Sequence, residues 1–402
     1  MSVNPTTRPQ LVFLLLACAT ALGLAGTDLV LPAVPTLPRE LGGGIASAQL
    51  VIAAFVAGTA VGLLLFGAIG TRFGRCVPVC IALGTYAALS LFAGFSKDIQ
   101  FLIGLRFLEG TAASAPAVFA PPVLRALFSE AGATRALGIL GSVESVVPAL
   151  APVLGAQLIA VWGWRSPFFT IAGLTAGVAA AIALNGHSFP QTPTRDARGS
   201  YGVLLRSPVF LRYSLSQASV LGGLLLFVFG APTAIVTVMH GTISDFVWMQ
   251  IAGISCFVLA ATATGHLVRA FGAERLIWIG TLLAAGGAVV ITLYAALGGS
   301  TPGALIALFI PMNLGLGLRG PPGFFRAILA GSGDDERAAS LTVLAVMAVA
   351  ASSTAALAPF LGRGLLVLAS ACTLVECCGV VLLWLMPPLP DTPNPASKGD
   401  QQ

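Results

Sequence analysis

Charge is what this sequence has least of. Of its 402 residues 9% are charged and 57% are hydrophobic; a soluble domain carries roughly 25% charged residues. With a mean hydropathy of +0.95, a water-soluble fold is excluded at the first step. No Gly-Lys-Ser/Thr step occurs, so there is no phosphate-cradling loop of the nucleotide-hydrolysing kind. The histidines, His187, His240 and His266, are scattered, and the seven cysteines show neither zinc spacing nor an extracellular pairing pattern. The cysteines read as small packing residues inside apolar segments. These absences argue against an enzyme, a metal site and any cofactor. The net charge of +5 is no nucleic-acid signature, because the basic residues are spread over short loops.

What is present is a series of apolar runs. Twelve are long enough to cross a bilayer: 11–33, 48–70, 77–95, 99–127, 136–160, 166–185, 209–238, 246–270, 275–297, 302–328, 338–361 and 364–386. They lack the alternation of membrane strands, and 47 glycines suit closely packed helices. The first run is too long for a signal sequence, so the first helix is expected to be retained. The spacing predicts an all-α membrane protein with an N-terminal six-helix bundle over 1–185, a polar, basic linker over 186–208 and a second bundle over 209–386. A Pro-rich tail over 387–402 reads as disordered.

Lys and Arg set the topology. Arg39, Lys97, Arg165 and Arg363 fall on one side and Arg106 and Arg319 fall within helices; the remaining fourteen of the 20 lie on the side of the N-terminus. Both termini are therefore expected in the cytoplasm. A faint repeat supports two pseudo-symmetric halves: FAPPVLRAL at 119–127 and RGPPGFFRAI at 319–328, and a GHLVRAFGAER loop at 265–275 that echoes GAIGTRFGRC at 67–76.

That loop carries the first family likeness. Gly67, Arg72, Gly74 and Arg75 match the Gly-x-x-x-Asp-Arg-x-Gly-Arg-Arg/Lys pattern between the second and third helices of major facilitator superfamily transporters, with Thr71 in the Asp place and Cys76 in the last basic place. Thr27, Asp28, Leu31, Pro32 and Pro35 resemble the first helix of the bicyclomycin/chloramphenicol-resistance branch of drug:proton antiporters, with Val30 where a tyrosine is usual. Arg106 and Gly110 match the superfamily's Arg-x-x-x-Gly, and Gly138, Gly141, Pro148, Pro152 and Gly155 loosely follow the helix-5 antiporter signature. The WGWRSPF string at 162–168 resembles its Gly-Trp-Arg-x-x-Phe.

The resemblance implies a twelve-helix major facilitator fold, two bundles rocking about a central site. It implies proton-coupled export of small hydrophobic compounds, driven by a proton gradient without a cofactor, by a monomer in a bacterial-type inner membrane. In resembling proteins the Gly67 loop latches the two halves together. The alternatives are a carrier of a specific metabolite or organic anion, and a transporter-like receptor.

Ionisable groups within the membrane are costly and few, so each can be weighed. A carboxyl in such a place takes up a proton or a partner. Asp28 is the leading proton carrier, or else the cap of a Pro-broken helix end. Glu144, two turns before Pro152, is the second, or a partner of Arg106. Arg106 cannot shed its charge, so it is tied either to proton coupling or to a structural ion pair; Glu109, three residues on, lies near its face. Arg319 reads as a supporting residue or as one that snorkels towards the surface, and Glu376 as peripheral in the last helix. Phe55, Phe119, Phe227 and Phe229 are candidates for an apolar substrate cavity, or else core. Trp162 and Trp164 read as an outer interface anchor.

Overall fold

The computed structural model describes residues 8–69, 76–190, 201–331 and 335–389, and no strand occurs among them. The main helices, in chain order, are α1 (Pro9–Asp28), α2 (Ile45–Ile69), α3 (Cys76–Gly94), α4 (in two pieces, Ile99–Ala113 and Ala115–Leu127), α5 (Glu130–Trp162) and α6 (Ser166–Leu184). The second half repeats the plan with α7 (Pro208–Thr233), α8 (Ile243–Phe271), α9 (Ala273–Ala296), α10 (Pro302–Leu308 and Ile310–Leu329), α11 (Asp335–Leu357) and α12 (Leu365–Leu385). By length and composition ten helices are apolar enough to cross a membrane, or eleven with the bent pair Ile139–Pro148 and Leu150–Trp162. The stretch holding α4 is not among them; it carries Arg106, Glu109 and three prolines.

Proline sets the breaks. A proline ring clashes with the carbonyl four residues back and offers no N–H. Pro32 stands four residues after Asp28, where α1 stops; the chain continues as a 3-10 turn over Leu31–Thr36 and a short helix over Leu37–Leu41. Pro148 and Pro152 accompany the 43° bend of α5. Gly163 and Gly272, each at φ 81°, adopt the left-handed turn that ends α5 and α8.

Small residues let backbones touch. A Cβ on Gly58 would lie 1.9 Å from Phe107 O, and one on Gly110 would lie 1.9 Å from Phe55 O, so α2 and α4 cross with nothing between them. Gly155 does the same for α5 and α1: its Cβ would meet Leu29 O at 2.3 Å.

The buried apolar groups divide unevenly along the membrane normal. On the side away from the termini, residues of both halves form one cluster, from Val30, Leu31, Val34 and Val51 to Phe227, Met239, Leu357 and Leu361. On the side of the termini the described residues form two separate clusters. One holds Leu16, Val79, Phe119 and Ile182 of the first half; the other holds Phe210, Ile277, Ala327 and Leu383 of the second. Among the described residues the halves thus share a core at the far end and have separate cores at the end bearing the termini. Across the seam, α2 lies against α11 and α5 against α8.

Candidate functional site

Asp28 is the last residue of α1, 9% exposed, directly before the proline break. It forms no hydrogen bond or ion pair with any described residue. The backbone around it is tightly held. Leu29, next in the chain, meets Gly155 of α5. Two residues before Asp28, Gly26 presents its carbonyl to Arg106, whose Nη2 donates at 2.9 Å. A Cβ on Gly26 would fall 2.1 Å from the Tyr86 hydroxyl, so only glycine lets α1, α3 and α4 meet here.

Arg106 is fully buried, which is costly unless its charge is met by a partner. Its Nη1 donates to Glu109 Oε2 at 2.9 Å within the same helix face. Its guanidinium lies 4.1 Å from the Phe55 ring centroid and 5.7 Å from that of Phe168. Such cation–π contacts are worth about 2 kcal/mol when desolvated. The satisfaction is incomplete: Arg106 Nε and Glu109 Oε1 are buried without a hydrogen bond. Arg106 makes no ion pair with Asp28 in this conformation; its carboxylate partner is Glu109. Nor is Glu144 its partner. Glu144 is half-buried on α5, without a hydrogen bond or ion pair among the described residues.

Elsewhere the structure corrects several expectations. Arg319 does not snorkel. It is fully buried on α10, with Nη1 donating to Ser216 O at 2.6 Å and Nη2 to Ser216 Oγ at 3.2 Å. Glu376 is not peripheral; it is fully buried and both its oxygens lack a hydrogen bond. Phe55, Phe119, Phe227 and Phe229 are all packed rather than open to a cavity, because Phe55 covers Arg106, Phe119 meets Phe66 and Phe227 stacks on Phe309. Trp162 is exposed, as an anchor requires, but Trp164 is buried against Phe168. The first residues of the tail are docked: Leu389 donates its N–H to Tyr213 Oη at 2.9 Å and accepts from Arg326 at 3.1 Å. Tyr213 donates in turn to Glu274, which Arg212 pairs.

Gly67 lies in the last turn of α2, which is described to Ile69, while Thr71, Arg72, Gly74 and Arg75 lie outside the described residues. Pro148, Pro152 and Gly155 all lie on α5, with Gly155 at the α1 contact.

Sequence reasoning passed over Gly26, Tyr86 and Ser216, and it met Phe168 only as the last residue of the Gly-Trp-Arg-x-x-Phe likeness. Of the three, only Tyr86 left a signal: it is the sole tyrosine before residue 201. Clefts between helices are open in this conformation. One of about 450 Å³ lies between α8 and the end of α10, lined by Thr264, Pro321, Pro322, Phe325, Arg326 and Leu389. One of about 400 Å³ lies between α2 and α11, lined mostly by alanine. Neither includes Asp28.

Comparison with known proteins now bears on this arrangement. The chloramphenicol resistance protein of Pseudomonas aeruginosa is 30% identical over 287 residues, 70% of this chain and 67% of that protein. The multidrug resistance protein MdtL of Klebsiella pneumoniae is 30% identical over 187 residues, 45% of this chain and 47% of that protein. The bicyclomycin resistance protein homolog of Haemophilus influenzae is 23% identical over 263 residues, 63% and 65%. The matched stretches thus span about half to two thirds of these relatives. Among solved structures, the POT family transporter PepTSo superposes with a TM-score of 0.71 at 13% identity, over 94% of this chain and 98% of that one, which shows the fold alone. The family model described as Major Facilitator Superfamily matches residues 16–359. The chain, with its two six-helix halves and multiple membrane-spanning helices, therefore belongs to the major facilitator superfamily of membrane transporters.

Proposed function

We propose that this protein is a proton-coupled exporter of small, mostly hydrophobic compounds that works by alternating access in a bacterial inner membrane. The observation that carries the reading is Asp28, a carboxyl buried without a cation partner at the break of α1, beside the Arg106–Glu109 pair and the α5 contact at Gly155. A carboxyl so placed holds a proton rather than a charge. The names of the relatives, chloramphenicol, bicyclomycin and multidrug resistance proteins, supply the substrate class.

In this reading the joint core on the far side is the closed outer gate, and the separate cores beside the termini belong to the inward-open state. The excess of Arg on that side supports cytoplasmic termini. Substrate enters from the cytoplasm or the inner leaflet. The halves rock, Asp28 or Glu144 takes a proton from outside as substrate leaves, and the protonated carrier returns and releases it inside. Arg106 keeps α1 and α4 together through Gly26 while this happens. A carrier of organic anions would use Arg319 as a second cation in the site, but Ser216 engages that guanidinium.

The test uses everted vesicles from cells lacking their own exporters, with an imposed proton gradient and a panel running from chloramphenicol to lipophilic cations. Gradient-driven accumulation that Asp28→Asn abolishes is the expected result. Accumulation unchanged by Asp28→Asn would remove Asp28 from coupling. No accumulation of any compound, with the protein in the membrane, would overturn the export reading.

A further inference from the structure

The second half contains a buried acid and a buried base that the mechanism above does not use. Glu376 on α12 is fully buried, and neither carboxyl oxygen has a hydrogen bond. Arg319 on α10 is fully buried too, bonded to Ser216 alone, with Nε unsatisfied. They form no ion pair. An ionised carboxylate in that position would carry a large desolvation penalty with no hydrogen bond to offset it and Arg319 acting only through space.

Packing places the two a short step apart. A Cβ on Gly223 of α7 would lie 2.7 Å from Glu376 Cγ, so the glutamate stem lies against α7 at that level. Gly379, three residues after Glu376 on the same helix face, would place a Cβ 3.4 Å from Ser216 O, the acceptor of Arg319. Glu376 and the carbonyl that holds Arg319 thus flank the same turn of α12. Glycine at Gly379 lets α7 come close there, with Val220 Cγ2 at 3.1 Å and Ser219 Cβ at 3.4 Å from where its Cβ would lie. On the other flank glycine at Gly323 lets Arg319 and Gln217 come close: a Cβ there would be 3.0 Å from Arg319 Nη2 and 3.1 Å from the unbonded Gln217 Oε1.

We propose that Glu376 is a second proton-binding site, in the C-terminal half, which holds its proton while Ser216 engages Arg319 and releases it when Arg319 swings across to pair with the carboxylate. The balance is simple. The Glu376 O–H bond breaks, the proton leaves to water, and the carboxylate left behind is neutralised by a guanidinium that stays charged throughout. The exit follows one face of α7, where Ser219, Ser216 and Tyr213 step towards Glu274 and the side of the termini. The polar and charged groups on the elements around Glu376 are few. α7 offers Ser216 and Ser219, beside Gly379; α10 offers Arg319; α9 offers Thr292, bonded to Thr373, and at its start Glu274, bound by Arg212. Its own helix adds Cys372, directed at Gly223 O, and Cys377. Among these only Arg319 is a cation free to move to it. Protonation of Glu376 stands on this packing; its part in the transport cycle rests on the proton-coupled reading.

The experiment is infrared spectroscopy of the purified full-length protein in lipid nanodiscs across pH, with no ligand added. The wild-type-minus-Glu376→Gln difference spectrum should contain a protonated carboxyl C=O band at neutral pH. In Arg319→Gln that band should persist to higher pH, a proton affinity about tenfold or more tighter, because the displacing cation is gone. No such band, or a band whose titration ignores Arg319→Gln, overturns the proposal. If Glu376→Gln does not fold, Glu376→Asp must shift the band in frequency, and an unshifted band is equally fatal. The vesicle assay with Asp28→Asn reads a different acid. A failed vesicle assay with the band intact would reject proton-coupled export and leave Glu376 as a proton site.

Discussion

Arg106 and Arg319 are buried mid-helix guanidinium groups, one in each half, yet they are satisfied differently. Arg106 finds its carboxylate three residues along its own helix, two aromatic faces, and a carbonyl of α1. Arg319 finds only the carbonyl and hydroxyl of Ser216, while the buried acid of its half, Glu376, stands unpaired on another helix. The first arrangement is closed: acid and base move together with α4. The second is divided between α10 and α12, so any shift of those helices changes the distance between acid and base. A rocking carrier can use a rigid brace in one half and a pair that makes and breaks in the other.

Three sets of variants test that contrast. Arg106→Ala should have the largest effect, about 3–5 kcal/mol of stability, because it strands the buried Glu109 carboxylate; thermal unfolding in nanodiscs measures it, and Arg106→Met with Glu109→Leu should recover most of the loss. Should Arg319→Ala prove as damaging as Arg106→Ala, the two halves are not different in kind. Next, Glu109→Gln should cost about 1.5–3 kcal/mol by removing a charge-assisted bond, whereas Glu376→Gln should stay within about 0.5 kcal/mol, since a neutral amide replaces a neutral acid; equal losses would mean Glu376 is ionised in this state. Ser216→Ala should cost less than Glu109→Gln, about 0.5–1.5 kcal/mol, because the carbonyl of residue 216 still holds Arg319. A larger loss on the same melting curve would make the hydroxyl the main anchor.

The class of the molecule was legible in its composition, and the order of helices in its runs of apolar residues. The prolines were legible as well: Pro32 and Pro35 announced the break after Asp28. The Arg106–Glu109 pair could be read from i,i+3 spacing, since neighbours on one helix are fixed by 3.6 residues per turn. Arg319 was misread for the opposite reason. Its distance from a helix end suggested a surface charge, and nothing local announced that Ser216, 103 residues earlier, would enclose it.

What the sequence by itself determined is therefore whatever adds up residue by residue or repeats along one helix: insertion into lipid, the number of runs, the bias of Arg between the two sides, and the local breaks. The tertiary structure decided which helix faces meet. Gly26 O reaches Arg106 across 80 residues of chain, Gly155 brings α5 onto α1 next to Asp28, and Glu376 is turned inward against Gly223. Nearly every helix here is apolar on all sides, so periodicity carries little information about which face is inside. The close approach of small residues and the need of each buried charge for a partner settle that orientation, and both exist only once the helices have packed.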